Sequence, residues 1–187
     1  MIKALSSLEN KPKAYLFFCF LMQTGARPQA ILSMKKVNVN LSNGVLMVQG
    51  LKKGMTYQAT ISGKILDLLT VRLAKLENNH YIFHPDNPKT NPEKQISYQS
   101  MRNQIQPVLD KMFNSAIDTS DRIHKVTFYT IRHSFATHLA QNPAVSVFDI
   151  KNLMGHNSLK MTERYAKTSL QEGTKKAIED LFGVESI

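Results

Sequence analysis

The chain has 187 residues, which fits a single domain, and its one cysteine excludes an intrachain disulfide. Its 24 Lys and Arg outnumber its 14 Asp and Glu, and the net charge of +10 makes nucleic acid the first candidate partner. An anionic membrane is the rival partner, and a basic surface that is merely solvated is the simplest alternative. The basic residues form no single polybasic run, and no apolar stretch is long enough to span a bilayer, which argues against a membrane partner.

The first half of the chain predicts two helices followed by a small group of strands. Proline near the first turn favours both helices, and Gly25 ends the first of them. Apolar residues at every second position indicate the strands. The predicted elements are a polar linker or tail (1–10), helices (11–23 and 27–34) and strands (37–41, 45–48 and 57–61).

The second half predicts helices with one long loop. Three prolines and little apolar content indicate the loop, and Ser97 is the predicted N-cap of the helix after it. The elements are a loop (84–97) and helices (63–76, 97–114, 130–140, 147–154, 159–165 and 170–182). The fold class that follows is α+β, mostly helical with a small three-stranded antiparallel sheet.

Cys19 lies inside the longest apolar run, residues 15–22, and is predicted to be a small buried core residue. A chain without disulfides suits a reducing compartment, and no signal peptide opens this sequence. We therefore expect a cytoplasmic protein, in the bacterial cytoplasm or nucleoid.

Two arginines stand in settings that suit phosphate chemistry. Arg27 precedes a helix, and Arg132 lies in an otherwise apolar helix start. Two guanidiniums can bind the non-bridging oxygens of a phosphodiester in its transition state. Taken singly, each arginine is better explained as a solvent-facing or ion-paired residue, and Tyr165 could be only a core aromatic. The six histidines show no metal-ligand spacing, so the sequence predicts no metal site.

Taken together, five short segments resemble the tyrosine recombinase (phage integrase) family over about residues 11–182. Thr24-Gly25-Ala26-Arg27 resembles its first-arginine motif, and residues 131–138, which begin Ile-Arg-His, resemble its second. Lys52-Lys53-Gly54 stands in the turn where the family keeps a mobile lysine. Leu153-Met154-Gly155-His156, with Tyr165 nine residues after the histidine, resembles the last two active-site positions.

The resemblance implies a metal-free and cofactor-free strand transfer in which Tyr165 attacks the scissile phosphate to form a 3′-phosphotyrosine. It implies that the two arginines clamp the phosphate, that His156 donates a hydrogen bond to it, and that Lys52 protonates the leaving 5′-oxygen, with Lys53 as the alternative acid. The implied catalytic residues are Arg27, Lys52, Tyr129, Arg132, His156 and Tyr165.

Two positions depart from the family pattern. Tyr129 stands where the family usually has a histidine, and a tyrosine with an ordinary pKa of about 10 is a poor base. We expect Tyr129 to hydrogen-bond the phosphate, with slower catalysis or water as the base. Ala30 replaces a common acidic residue, so the bracing of the site must come from elsewhere or be absent. His133 is expected to support the site or simply to pack.

The resemblance also implies double-stranded DNA as partner and self-association on it. The helix after Ser97 has a polar edge suited to reading bases, although a solvated face explains it equally well. The expected DNA contacts are Lys53, Gln99, Arg102, Asn103 and Gln106. Residues 170–182 resemble the segment that family members dock onto a neighbour in a tetramer, or they fold back onto their own core. We expect residues 11–187 to form the catalytic domain. The N-terminal core-binding domain that is usual in the family is expected to be absent from this chain.

Two other functions remain compatible with the sequence. A type IB topoisomerase uses a similar set of residues but relaxes supercoils. A DNA-binding module that has lost activity would account for Tyr129 and Ala30.

Overall fold

The computed structural model describes residues 2–50, 56–85, 87, 91–163 and 165. Its elements are α1 (Ile2–Ser6), α2 (Pro12–Thr24), α3 (Pro28–Leu32), β1 (Val39–Asn40), β2 (Val45–Val48), β3 (Tyr57–Thr60), α4 (Lys64–Leu73), α5 (Tyr98–Leu109), α6 (Phe128–Ala140) and α7 (Val147–Leu153). A 3-10 turn (Lys36–Asn38) precedes β1, a π-helical turn (Asp110–Asn114) extends α5, and residues 160–163 are again helical. The predicted class, mostly helical α+β with one small antiparallel sheet, is confirmed.

Helix α2 lies at the centre of the core because it is apolar on nearly all its faces. Phe17 packs edge-on against Phe83, with ring centroids 5.5 Å apart, and lies 5.4 Å from the ring of Phe128. Phe20 meets Phe83 from the next turn at 5.7 Å. These aromatic contacts join α2 to the start of α6 and so fix where α6 lies.

The three strands pair antiparallel in the order β1-β2-β3. Val45 lies opposite Thr60 and Val48 opposite Tyr57. Leu46, Val48 and Tyr57 point into the core, in the two-residue period of a half-buried sheet. Strand β3 also lies beside α7, which brings Tyr57 next to the end of that helix.

The first strand is shorter than the predicted 37–41. The side-chain oxygen of Asn38 accepts the backbone N–H of Lys35 at 2.8 Å, and its own N–H donates to the carbonyl of Lys35 at 3.0 Å. These bonds close the 3-10 turn and leave only Val39–Asn40 to pair with β2. A side chain that competes for backbone groups is the physical reason for the difference.

Two helix boundaries also differ from the prediction. Helix α6 begins at Phe128 and not at Thr130, because the hydroxyl of Thr130 accepts the N–H of Thr127 at 3.1 Å and closes a capping box. Helix α3 ends at Leu32, two residues early. Ser97 caps α5 as predicted, accepting the N–H of Ser100 at 3.0 Å.

The interpretation of residues 1–10 as a polar tail is wrong about how this segment packs. Residues Ile2–Ser6 form α1, which lies against α2. Ala4 and Leu8 are fully buried in the main core. Two apolar side chains spaced one helical turn apart are enough to fix a segment whose other residues are polar.

A second, smaller core lies between α6 and α7. Ala136, Ala140, Ile150 and Met154 are buried there, with Tyr165 packed against them. This cluster holds the end of α7 and residue 165 against the face of α6 that carries Arg132.

Two predicted features lie outside the described residues: the Lys52-Lys53-Gly54 turn and the helix over 170–182. The described residues of 84–97 contain no helix or strand, as predicted. No helix in the described ranges has both the length and the apolar character that crossing a membrane requires.

Candidate active site

Arg132 is a buried arginine held by carbonyl groups from two other parts of the chain. Only 5% of its surface is exposed. Its Nη1 donates to the carbonyl of Gly25 at 2.6 Å, and its Nη2 donates to the carbonyl of Met154 at 2.8 Å. A buried guanidinium must recover the hydrogen bonds it loses with water, and these two carbonyls also fix the plane of the group.

The turn after α2 presents the first of these carbonyls. Gly25 has a φ of 56°, in the left-handed region, and the ring of Phe135 occupies the place where a Cβ would lie. The hydroxyl of Thr24 donates to the carbonyl of Phe20 at 2.6 Å and accepts the N–H of Ala26 at 3.1 Å. The Thr-Gly pair therefore sets both the end of α2 and the direction in which the chain leaves it.

A second glycine turn, at the end of α7, receives both arginines. Gly155 has a φ of 58°, and the ring of Tyr57 fills the space beside it. Arg27, which is half-buried, donates through Nη1 to the carbonyl of Gly155 at 3.3 Å, next to the Met154 carbonyl that Arg132 uses. Residues 128 positions apart in sequence are thereby joined at one point.

His156 follows this turn and is buried, with 5% of its surface exposed. Its Nε2 lies 3.0 Å from Nη2 of Arg132. Arginine can only donate, so Nε2 accepts and the ring proton sits on Nδ1. Nδ1 in turn donates to the hydroxyl of the fully buried Thr162 at 2.8 Å. The contacts thus define a neutral imidazole in one tautomer.

Tyr165 presents its hydroxyl at the same end of the molecule. The side chain is half-buried, and its oxygen lies 2.5 Å from Nδ1 of His133. The two rings are 5.9 Å apart and inclined by 42°. Tyr165 also interacts electrostatically with Arg132. The predicted nucleophile therefore packs beside the helix that carries Arg132, with its hydroxyl against His133 of the same helix.

The centre of the site is strongly positive. Burial and the nearby Arg27 lower the pKa of Arg132, yet a guanidinium stays protonated at any working pH. Within the described ranges, neither arginine forms an ion pair with a carboxylate. Two partly buried positive charges without an acidic partner favour an anionic ligand bound between them.

The bracing expected from an acidic residue at position 30 comes from the backbone. Ala30 is 2% exposed and packs in the main core. The carbonyls of Gly25, Met154 and Gly155 hold the guanidiniums in its place. Carbonyl groups orient an arginine without adding a negative charge, so the site keeps the net positive charge of its guanidiniums.

Tyr57 is a site residue that the sequence interpretation missed. Its hydroxyl is buried and makes no hydrogen bond of good geometry within the described residues. Burial raises its pKa, while the charges of Arg132 and Arg27 oppose the rise. A cavity of about 300 Å³ opens beside it, between β3 and the end of α7, with His156 in its wall. The sequence predicted only that Tyr57 belongs to a strand and gave no sign that it borders the two arginines.

Tyr129 lies outside the group formed by Arg27, Arg132 and His156. Its side chain is 51% exposed, and no hydrogen bond in the described part of the chain joins it to Arg27, Arg132 or Tyr165. It lies near Tyr98 of α5, whose pKa is raised by burial and by Tyr129. Lys52 and Lys53 lie outside the described residues, so their roles stay predictions.

The polar edge predicted on α5 is only partly exposed. Gln99, Arg102 and Asn103 face solvent, and the amide of Gln99 donates to Asn103 at 2.6 Å. The prediction that Gln106 contacts DNA is wrong, because its side chain is internal and only 9% exposed. Its amide donates to the carbonyl of Val126 at 3.0 Å and to the carboxylate of Asp110 at 2.9 Å. Gln106 lies about one turn after Arg102 and Asn103, and its side chain faces the loop that leads to α6.

Other reactive side chains are not gathered into a site. Cys19 is buried in α2, and burial raises the pKa of its thiol to about 11, as expected of a core residue. Over the described ranges, no three His, Cys, Asp or Glu side chains are grouped so that they could hold a metal ion.

Known proteins resemble this chain over nearly its whole length. The model of the phage integrase family matches residues 1–172. The tyrosine recombinase XerA of Pyrococcus horikoshii is 26% identical over 188 residues, covering 97% of this chain and 61% of the relative. The tyrosine recombinase XerC of Rickettsia bellii is 30% identical over 169 residues, covering 88% of this chain and 49% of the relative.

A solved structure shows the same fold. The Tn1549 transposon integrase, determined in complex with transposon right end DNA, superposes with a TM-score of 0.70 at 15% identity, covering 93% of this chain and 62% of that one. The predicted fold type is therefore confirmed. The chain spans only about half to three-fifths of the length of these proteins.

Proposed function

This chain belongs to the phage integrase family, and on that premise we propose that it is the catalytic domain of a site-specific tyrosine recombinase, which cuts and rejoins DNA through Tyr165. One observation carries the proposal: Arg27, Arg132 and His156 meet at a single glycine turn, next to the small core against which Tyr165 packs. No carboxylate in the described part of the chain pairs with either arginine. A phosphodiester supplies the negative charge that this arrangement lacks.

The proposed reaction follows from the contacts. The two guanidiniums bind the non-bridging oxygens of the scissile phosphate, where negative charge grows in the transition state. The Tyr165 oxygen attacks phosphorus, the bond from phosphorus to the 5′-oxygen breaks, and a 3′-phosphotyrosine forms. Lys52 is the proposed donor of the proton that the 5′-oxygen takes up. Attack by the 5′-hydroxyl of a partner strand reverses these steps and needs neither ATP nor a metal ion.

Duplex DNA is the proposed partner. The net charge of +10 attracts the backbone, and Gln99, Arg102 and Asn103 are the exposed polar side chains of α5 that we assign to DNA contact. Gln106 is left out because its amide is used inside the protein. We further propose that residues 170–182 mediate assembly of a tetramer on DNA.

The test is covalent capture on a nicked duplex suicide substrate, with pooled sequences because the target site is unknown. The parent protein is expected to form a protein–DNA adduct, and Tyr165→Phe to form none, because the nucleophilic oxygen is gone. Tyr81→Phe is the matched control. Tyr81 is half-buried and packs against Lys35, with the ammonium 5.0 Å from its ring, so its adduct yield should equal that of the parent.

Each other outcome has a definite meaning. An adduct that persists in Tyr165→Phe assigns the nucleophile to another residue. Binding without an adduct on any pool supports a DNA-binding module that has lost activity. Relaxation of supercoiled plasmid without exchange of defined sites supports the type IB topoisomerase alternative.

A further inference from the structure

In the structure, the Tyr165 hydroxyl has a side-chain partner, the imidazole of His133. We propose that His133 is the general base that takes the proton from Tyr165, an inference that rests on the proposed function. Nδ1 of His133 lies 2.5 Å from the Tyr165 oxygen. A base must be within hydrogen-bond reach of the proton it removes, and this imidazole is.

Helix α6 places the base and the phosphate clamp in adjacent positions. Successive side chains on an α-helix point about 100° apart. Arg132 therefore faces the buried carbonyls, while His133 lies on the exposed side and meets Tyr165 there. An exposed imidazole can exchange its proton with water between turnovers, which a buried one cannot do readily.

The other candidates for the base are committed elsewhere. Tyr129 is a phenol with no hydrogen bond to Tyr165. His156 is buried, its Nε2 accepts from Arg132, and its Nδ1 already carries the proton donated to Thr162. His133 is the described imidazole whose ring nitrogen contacts the nucleophile.

The proton balance of the step is complete. The step uses the neutral tautomer of His133 with its proton on Nε2, in which Nδ1 accepts the Tyr165 O–H. During attack the phenolic proton moves to Nδ1 as the bond from oxygen to phosphorus forms, which leaves an imidazolium. In the reverse step the imidazolium returns this proton to the phenolate as Tyr165 leaves the phosphate.

The proposal predicts a specific pH dependence. Among the described residues, His133 contacts the titratable group of Tyr165, and Tyr129 and Arg132 lie on its own helix. Imidazole side chains ordinarily ionise near pH ~6.5. Only the neutral ring can accept a proton, so the rate of adduct formation should fall as pH drops through this ionisation and level off above it.

The experiment compares single-turnover adduct formation, from about pH 5 to about pH 9, in the parent, His133→Gln and His138→Gln. Glutamine can hydrogen-bond Tyr165 but cannot accept its proton at these pH values. His133→Gln is expected to be roughly 100-fold slower at neutral pH and to lose the acidic limb of the profile. His138 is the matched control. It is exposed on the same helix, and its Nδ1 bonds the carbonyl of Ser134 at 2.9 Å, so both rate and profile should stay those of the parent.

A second readout does not depend on activity. Nitrogen NMR of His133 should show a changed Nδ1 resonance in Tyr165→Phe, because the hydroxyl that donates to it is gone, and no change in Tyr81→Phe. An unchanged resonance overturns the proposal.

The kinetic outcomes separate this proposal from the function it rests on. A His133→Gln variant that forms adduct at the parent rate, or slowly but with the acidic limb retained, overturns the base role and leaves the recombinase proposal standing. No adduct from the parent on any pool overturns both.

Discussion

At the scale of single residues, the two neighbours of His156 decide which of its ring nitrogens carries the proton. Its Nε2 accepts from Arg132, so in this state it cannot donate to a phosphate. On the proposed function, a phosphate bound to Arg132 would release Nε2, which would then have to gain a proton before it could donate to that phosphate. The Thr162 hydroxyl can accept from Nδ1 or donate to it, and so it suits either form of the ring.

We therefore expect Thr162 to be a positioning residue for His156. Thr162→Val keeps the shape but leaves Nδ1–H buried without its acceptor, and should slow adduct formation roughly 10- to 100-fold, as loss of a charge-assisted bond would. Thr162→Ser restores the hydroxyl and should restore the rate. The measurement is the single-turnover rate at saturating DNA. A valine variant as fast as the parent would show that His156 is held by its other contacts.

At the scale of elements, two glycine turns build the clamp. The turn after α2 gives the carbonyl of Gly25, and the turn after α7 gives the carbonyls of Met154 and Gly155. Each turn has a glycine in the left-handed region with an aromatic ring against its Cα. The clamp thus depends on backbone conformation as much as on the arginine side chains.

Gly155→Ala is expected to lower the free energy of unfolding by roughly 2–4 kcal/mol. The left-handed conformation costs a residue with a Cβ about 1–2 kcal/mol, and the Tyr57 ring must also move. Urea denaturation measures the loss. Ser158→Ala, in the exposed loop that follows, is the control and should leave the midpoint unchanged. Equal midpoints for parent and Gly155→Ala would mean that the turn relaxes without cost.

At the scale of the whole molecule, one core joins segments far apart in the chain. Helix α2 contacts α1, α4, α5 and α6, so the first residues and the second-arginine helix pack on the same element. Residues 1–10 contribute to that core through two fully buried side chains. The stability of the candidate site is therefore linked to a segment that contributes none of its residues.

Leu8→Ala should destabilise the protein by roughly 3 kcal/mol, the usual cost of emptying a fully buried leucine site. Glu9→Ala, one residue further and exposed, should change the free energy of unfolding by less than about 0.5 kcal/mol. Thermal or urea unfolding of the two variants is the measurement. Similar changes in the free energy of unfolding for the two variants would show that residues 1–10 form the polar tail that the sequence indicated.

Local patterns predicted most of the secondary structure. Proline near the helix starts, the Ser97 cap and the glycine stops are local signals, and the structure confirms them at α2, α5 and α7. The errors arose where a side chain or a distant surface competes with the pattern. Asn38 shortens β1, Thr130 moves the start of α6, and the core of α2 orders residues 1–10.

The sequence by itself determined the fold class and family, because these rest on residue types and short motifs in a fixed order. It predicted Arg27, Arg132 and His156, which the structure brings to one turn, and Tyr165, which packs beside the helix that carries Arg132. Only the tertiary structure decided that Tyr57 and His133 border the site, that Tyr129 faces solvent and that Gln106 is internal. His133 and Tyr165 are 32 positions apart in the sequence, and Arg27 and Gly155 are 128 positions apart. Such contacts depend on how the helices pack, and no local pattern encodes them.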